Sequence, residues 1–140
     1  MGIILDSGFL YSLKIKQDEL HSIAIKLFKE TDWKKYGLIV TSNLVVNEVY
    51  TLVNIRTKSN KAAFEQIERL IRDDENFFEI VFLRPSEFQE TAKLFKKYST
   101  PDRILSFVDA SLIYLSQKFN FTTIISFDNH FDGILTRISG

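Results

Sequence analysis

The sequence predicts an α/β protein with a central parallel sheet of about four to five strands flanked by helices, in a single domain over residues 1–140. Short apolar runs alternate along the chain with segments of helical periodicity, and this order is typical of a parallel sheet with right-handed crossovers. The chain is 45% hydrophobic and 26% charged, as expected for a globular domain. It holds 5 glycines and 2 prolines, which disfavours long irregular loops.

The first half of the chain alternates strand and helix twice. Ile3–Leu5 is a continuous apolar run, which is typical of a buried strand. Apolar residues then recur at helical spacing over residues 17–31, which predicts a helix. Gly37–Val40 predicts a second strand. The polar residues 41–43 can cap a following helix, whose apolar face begins at Val45.

The second half continues the alternation after a polar loop. The predicted elements are, in order, a helix at Lys61–Arg72, a strand at Phe78–Leu83, a helix that opens at Pro85, a helix from Phe107 to about Phe119, a strand at Thr122–Phe127 and a short strand at Leu135–Ile138. Ser86 and Gln89 have capping-box spacing, and Ser106 can cap the helix that follows it.

The composition excludes several kinds of site. Without cysteine, the chain has no disulfide, no thiolate nucleophile and no cysteine-based zinc site. The formal net charge is 0, so any contact with nucleic acid must come from local basic patches or bound metal. No apolar run approaches the roughly 18 residues of a membrane span, and the opening residues lack the basic leader of a signal peptide. We therefore expect a cytoplasmic protein.

Four carboxylates lie in apolar surroundings, where an unpartnered ionised acid is costly. Asp6 and Asp128 each follow a predicted strand, and Glu48 and Asp109 lie in early turns of predicted helices. Ligands bind parallel sheets beyond the carboxyl ends of their strands, and all four acids are predicted near that edge. Oxygen ligands without cysteine favour Mg²⁺ or Mn²⁺ over zinc.

Each acid also has a purely structural interpretation. Asp6 can act as a helix N-cap or a turn residue after the first strand. Glu48 can lie at the edge of its apolar stripe and extend into water. Asp109 stands three residues after a serine, at capping-box spacing. Asp128 suits an Asx-turn, and a histidine such as His130 in such a turn is more often a surface or packing residue than a ligand.

Four segments together resemble the PIN-domain nucleases, VapC-like toxins included. They are residues 4–7, 41–48, 105–110 and 126–131, and they occur in order over essentially the whole chain. The resemblance implies a parallel sheet of about five strands and acids that bind Mg²⁺ or Mn²⁺ to cleave RNA. By motif position, Asp6, Glu48 and Asp109 match the three core acids, and Asp128 matches a fourth, more variable one.

The resemblance also implies supporting residues and partners. Ser7 follows the first acid where the family often has a small hydroxyl, and Ser126 stands where a hydroxyl helps to orient the metal surroundings. Such toxins are typically homodimers blocked by an antitoxin protein. Exposed apolar groups among Phe9, Leu10 and Tyr11 and on the 17–31 helix are candidates for those contacts. The candidate RNA-binding residues are Arg56, Lys58, Lys61, Lys96, Lys97 and Arg103.

The predicted function is that of a metal-dependent endoribonuclease, the toxin of a type II toxin-antitoxin pair. Two alternatives stay open: an RNA-processing or ribosomal RNA maturation endonuclease without an antitoxin, and a non-catalytic binding module of the same fold. A phospho-acceptor receiver domain is disfavoured. It needs an acidic pair after the first strand and a lysine after the last, and Asp6 is followed by Ser7 while residues 126–132 contain no lysine.

Overall fold

In the computed structural model, which describes residues 1–72 and 76–140, five parallel strands form one sheet. They are β1 (Gly2–Leu5), β2 (Leu38–Ser42), β3 (Glu79–Val81), β4 (Thr123–Ile125) and β5 (Thr136–Ile138). Their order across the sheet is β3-β2-β1-β4-β5, with β1 at the centre. The predicted fold class is confirmed, although β3 and β4 are shorter than predicted and β5 begins one residue later.

Seven α-helices occur in the described part of the chain. They are α1 (Ser7–Lys14), α2 (His21–Glu30), α3 (Trp33–Tyr36), α4 (Asn43–Arg56), α5 (Lys61–Arg72), α6 (Pro85–Tyr98) and α7 (Phe107–Phe119). A 3₁₀ turn covers Asn129–Phe131. Within residues 1–72 and 76–140, no helix has the length and apolar character needed to cross a lipid bilayer.

The helix predicted over residues 17–31 is wrong at its start, and the sequence pattern does not predict α1. Asp6 caps α1 by accepting the backbone N–H of Ser7, and the helix is buried on most sides, so it lacks the amphipathic stripe that reveals a surface helix. The chain then turns, because the Asp18 carboxylate accepts the Ser12 hydroxyl and the Leu20 N–H, and α2 begins only at His21.

The capping box predicted for Ser86 and Gln89 is also wrong. Pro85 is the first residue of α6, so the N-cap is Arg84. The side chain that accepts the backbone N–H of this N-cap residue, at 3.0 Å, belongs to Glu87. The box predicted at Ser106 is present, because its hydroxyl accepts the Asp109 N–H at 2.9 Å and its own N–H donates to the Asp109 carboxylate at 3.0 Å.

A buried carboxylate joins α6 to α7, the helix that carries Asp109. Glu87 is 4% exposed, and its Oε2 accepts the Tyr114 hydroxyl and the Lys118 ammonium, each at 2.7 Å. The Lys118 hydrogen bond is the main reason that the pKa of Glu87 is lowered. Burial and the hydrogen bond to Glu87 raise the pKa of Tyr114 to about 12. This network fixes the position of α7 against its neighbour.

Candidate metal centre at the carboxyl edge of the sheet

Asp6 lies at the centre of the candidate site, directly after the central strand β1. Its backbone N–H donates to Ile125 O on the neighbouring strand, so its position is set by the sheet. Its Oδ1 accepts the Ser7 N–H at 2.7 Å, and its Oδ2 accepts the Ser126 hydroxyl at 2.6 Å. The side chain is almost wholly buried, as the sequence predicted for an acid at this edge.

Glu48 approaches Asp6 from α4, which begins where β2 ends. Ser42 caps this helix by accepting the Val45 N–H, so the first turns of α4 lie at the same edge as Asp6. The Ser7 hydroxyl donates to Glu48 Oε1 at 2.6 Å and lies 3.4 Å from Asp6 Oδ1. Ser7 therefore joins the first two acids.

Asp128 reaches the same place from the end of β4. The Ser126 hydroxyl accepts the Asp128 N–H at 3.0 Å while donating to Asp6, so one serine supports two acids. Asp128 Oδ1 then accepts the backbone N–H of His130 at 2.9 Å, which is the Asx-turn geometry. The turn directs the other carboxylate oxygen toward the His130 ring.

His130 connects Asp128 to Asp109, a position that the sequence interpretation as a surface or packing residue missed. Its Nδ1 lies 3.2 Å from Asp109 Oδ2 and 3.2 Å from Asp128 Oδ2. The signal in the sequence was the Asp-x-His spacing directly after a buried strand. A continuous path of contacts therefore runs from Glu48 through both serines to Asp109, and the structure brings the four predicted acids together.

Burial and neighbouring charge make this cluster unfavourable for ionised acids without a cation. Burial is the main cause that raises the pKa of Asp6 to about 7, against the lowering effect of hydrogen bonds from Ser126 and Ser7. The nearby carboxylates of Asp109 and Glu48 raise it further. A bound divalent cation would reverse this effect by stabilising the charged form.

The donor set fits a divalent metal ion. One oxygen each of Asp109 and Asp128 and a ring nitrogen of His130 lie within 4.8 Å of one another. Adjacent ligands of an octahedral ion with bonds of about 2.1 Å are separated by about 3.0 Å, and opposite ligands by about 4.2 Å. The two contacts of the His130 nitrogen, 3.2 Å each, are close to the spacing of adjacent ligands, so the residues present fit a metal ion of this size.

The predicted basic residues do not join the cluster. Arg56 ends α4, eight residues beyond Glu48 and so about 12 Å along the helix axis. Its guanidinium pairs with Asp18 at 3.5 Å and lies over the Tyr11 ring. Arg103 donates to the backbone carbonyl of Asp132. In the described part of the chain none of the six pairs with the four acids. The remaining four basic residues are exposed: Lys58, Lys61, Lys96 and Lys97.

Part of the predicted antitoxin surface is wrong. Phe9 and Leu10 are fully buried and Tyr11 is 2% exposed, because α1 packs against the helices α2, α4 and α5. These three side chains belong to the core and offer no surface to a partner. On the helix predicted over residues 17–31, Ile23 is exposed and Ala24 and Leu27 are buried.

The fold and the site define a class of protein, a parallel α/β domain with linked carboxylates at the carboxyl edge of its sheet. Within this class the chain belongs to the PIN domain family, whose model matches residues 3–134. This membership agrees with the resemblance of the four sequence motifs. No curated protein matches the chain in sequence.

Several solved structures share the fold. Mycobacterium tuberculosis VapC20, described as a sarcin-ricin loop cleaving toxin, has a TM-score of 0.80 at 20% identity, covering 99% of this chain and 100% of that one. VapBC2 from Rickettsia felis, bound to a DNA fragment from its promoter, has a TM-score of 0.65 at 15% identity, covering 99% and 98%. FitAcB from Neisseria gonorrhoeae has a TM-score of 0.65 at 13% identity, covering 98% and 96%.

Proposed function

We propose that this PIN-domain protein is a metal-dependent endoribonuclease that hydrolyses RNA phosphodiester bonds, and that it is the toxin of a toxin-antitoxin pair. The observation that carries the proposal is the linked acidic cluster, in which Ser7 and Ser126 connect Glu48, Asp6 and Asp128. Buried carboxylates that repel one another are costly to the fold, and groups of this kind occur chiefly at functional sites, where a metal ion can neutralise them.

Three of the four acids share one role in the proposed reaction. Asp6, Asp109 and Asp128 would hold Mg²⁺ or Mn²⁺, with Glu48 as a further ligand or a partner through water. When bound, such an ion lowers the pKa of water toward neutrality and offsets the charge of the attacked phosphate. Ser126 and Ser7 keep both Asp6 oxygens in fixed directions. The Glu87 network holds α7, so that Asp109 keeps its place opposite Asp128.

The similar structures support the choice of substrate and partner. The M. tuberculosis protein is described as a toxin that cleaves the sarcin-ricin loop, which supports RNA as the substrate. The R. felis VapBC2 and N. gonorrhoeae FitAcB structures support the proposal that this chain binds a partner protein. We propose that this chain forms a homodimer, binds an antitoxin and acts in the cytoplasm. The six basic residues remain the proposed phosphate contacts, reached by RNA that extends beyond the acidic cluster.

Cleavage of RNA in the presence of metal tests the proposal. Wild type, Asp6→Asn and Asp109→Asn are incubated with total RNA and Mg²⁺ or Mn²⁺, and the cleaved ends are mapped. Asp102→Asn, which changes an exposed acid in a turn, is the matched control. We expect wild type and the control to cleave only with metal, and the two site variants to lose cleavage while keeping their circular dichroism spectra. Full cleavage by both site variants would reject the assignment.

A further inference from the structure

The ring of His130 occupies a position that the four acids alone do not explain. Its Nδ1 is equidistant from two carboxylate oxygens, at 3.2 Å from Asp109 Oδ2 and 3.2 Å from Asp128 Oδ2. The ring is 35% exposed and its Nδ1 lies between the buried Asp109, 9% exposed, and the more open Asp128, 39% exposed, so the nitrogen lies at the open side of the cluster. A nitrogen donor therefore stands among oxygen donors.

Two arrangements have a ring nitrogen between two carboxylates. In the first, the ring N–H donates a hydrogen bond, as the Nδ1 contact with Asp109 Oδ2 at 3.2 Å allows; a charge-assisted bond to one acceptor measures about 2.7–2.9 Å, and one shared by two acceptors is longer. In the second, the nitrogen and both oxygens are neighbours around one metal ion, and octahedral geometry separates adjacent ligands by about 3.0 Å. Two equal contacts of 3.2 Å match the spacing of neighbouring ligands better than that of a single directed bond.

The local chain geometry also holds the ring in place for ligation. The backbone N–H of His130 is committed to Asp128 Oδ1, so the backbone and the carboxylate are fixed relative to each other within one turn. The neighbouring Phe131 side chain is fully buried and anchors the 3₁₀ turn that carries the histidine. Little conformational entropy is then lost when the ring binds an ion.

We propose that His130 is a direct nitrogen ligand of the metal ion, and that it makes the site prefer Mn²⁺ over Mg²⁺. Mg²⁺ is a hard ion that favours oxygen ligands and keeps its water, whereas Mn²⁺, a transition-metal ion, accepts an imidazole nitrogen more readily. The inference rests on the proposed metal-dependent function, but it adds a ligand and a metal preference that the four acids do not supply.

Electron spin echo spectroscopy of the Mn²⁺-loaded full chain tests the ligand directly, because a coordinated imidazole gives a ¹⁴N coupling to the ion. The chain has two histidines, and the Nδ1 of the other, His21, contacts Ser12 O away from the acids. His21→Gln is therefore the matched control for His130→Gln. A third variant, His130→Asp, restores an oxygen ligand, so loss of metal binding through misfolding is separated from loss of the nitrogen.

We expect the ¹⁴N coupling in wild type and His21→Gln, and its absence in both His130 variants. Calorimetric titration with each metal alone is expected to show a loss of Mn²⁺ affinity of about tenfold or more in His130→Gln, in the range seen for disturbed metal surroundings. The Mg²⁺ affinity is expected to change less, and His130→Asp to shift the preference toward Mg²⁺.

Two results would overturn the inference, and they differ in what they say of the function. Mn²⁺ binding that Asp109→Asn abolishes, without a ¹⁴N coupling in wild type, would show that His130 is not a ligand, and the proposed nuclease function would stand. Failure of wild type to bind either metal would reject the ligand assignment and the metal-dependent function together.

Discussion

Replacing Asp6 by Asn is expected to stabilise the protein while removing its proposed activity. The pKa of Asp6 is raised from 3.8 to about 7, mainly by burial. One pKa unit corresponds to about 1.4 kcal/mol, so keeping this side chain ionised above pH 7 costs the folded state about 4 kcal/mol. Asparagine carries no charge and keeps an acceptor for the Ser7 N–H, and the Ser126 hydroxyl can rotate to accept from its amide.

The pH dependence follows from the direction of the pKa change. Because the folded-state pKa of Asp6 lies above 3.8, the folded protein binds more protons than the unfolded chain between pH 3.8 and about 7. The wild-type free energy of unfolding therefore rises as the pH falls through that interval. Allowing about 1 kcal/mol for weaker neutral hydrogen bonds, we expect Asp6→Asn to gain about 3 kcal/mol at pH 8 and about 1 kcal/mol or less at pH 5.

Urea unfolding with EDTA present, at pH 8 and pH 5, measures both values. The control Asp102→Asn, at an exposed position, is expected to stay within about 0.5 kcal/mol of wild type at both pH values. An Asp6→Asn protein that is no more stable than wild type at pH 8, or whose gain is the same at both pH values, would refute the reasoning from buried charge.

Two further predictions concern the scaffold. Glu87→Gln removes a buried charge that pairs with Lys118, and we expect a loss of about 1–3 kcal/mol in urea unfolding, whereas the exposed control Glu90→Gln is expected to change stability by less than about 1 kcal/mol. Because the pKa of Glu87 is lowered below 4.5 in the folded state, its ionised carboxylate stabilises the fold above that pH, and this stabilisation is lost as the pH falls. A Glu87→Gln protein whose free energy of unfolding depends on pH as that of wild type does would contradict this. Gly2→Ala places a Cβ 2.2 Å from the buried Phe121 ring and 2.7 Å from Leu38 O, so its melting temperature is expected to fall by roughly 5 °C or more. Gly8→Ala, whose Cβ meets Phe127 at 3.7 Å within a helix, is expected to be neutral or stabilising, and an equal loss in both glycine variants would argue against the steric cause.

The sequence predicted the sheet because its strands are buried on both faces and read as apolar runs. Ile3–Leu5 and the residues of β4 are of this kind, and parallel pairing brings the acids that follow them to one edge. The convergence of Asp6 and Asp128 follows from topology alone, since β1 and β4 are adjacent. Local patterns and topology were sufficient for these features.

Three features depended on contacts that a local pattern does not contain. Helix α1 is buried on most sides, so periodicity gave no stripe to recognise. Glu87 is a buried acid in a polar stretch, and its burial depends on the distant partners Tyr114 and Lys118 of α7 as well as on the neighbouring Arg84. The contact of His130 with Asp109 depends on the packing of α7 against β1 and β2, which places Asp109 beside the turn after β4.

The central claim is that distant acids meet at the carboxyl edge of the sheet to bind one or more divalent cations. A crystal soaked in Mn²⁺ and measured for anomalous scattering tests it most directly. We predict an anomalous peak bounded by Asp6, Asp109 and Asp128, with ligand distances of about 2.0–2.3 Å, and no peak in Asp109→Asn. A fully occupied Mn²⁺ elsewhere on the molecule, with this edge empty, would contradict the account.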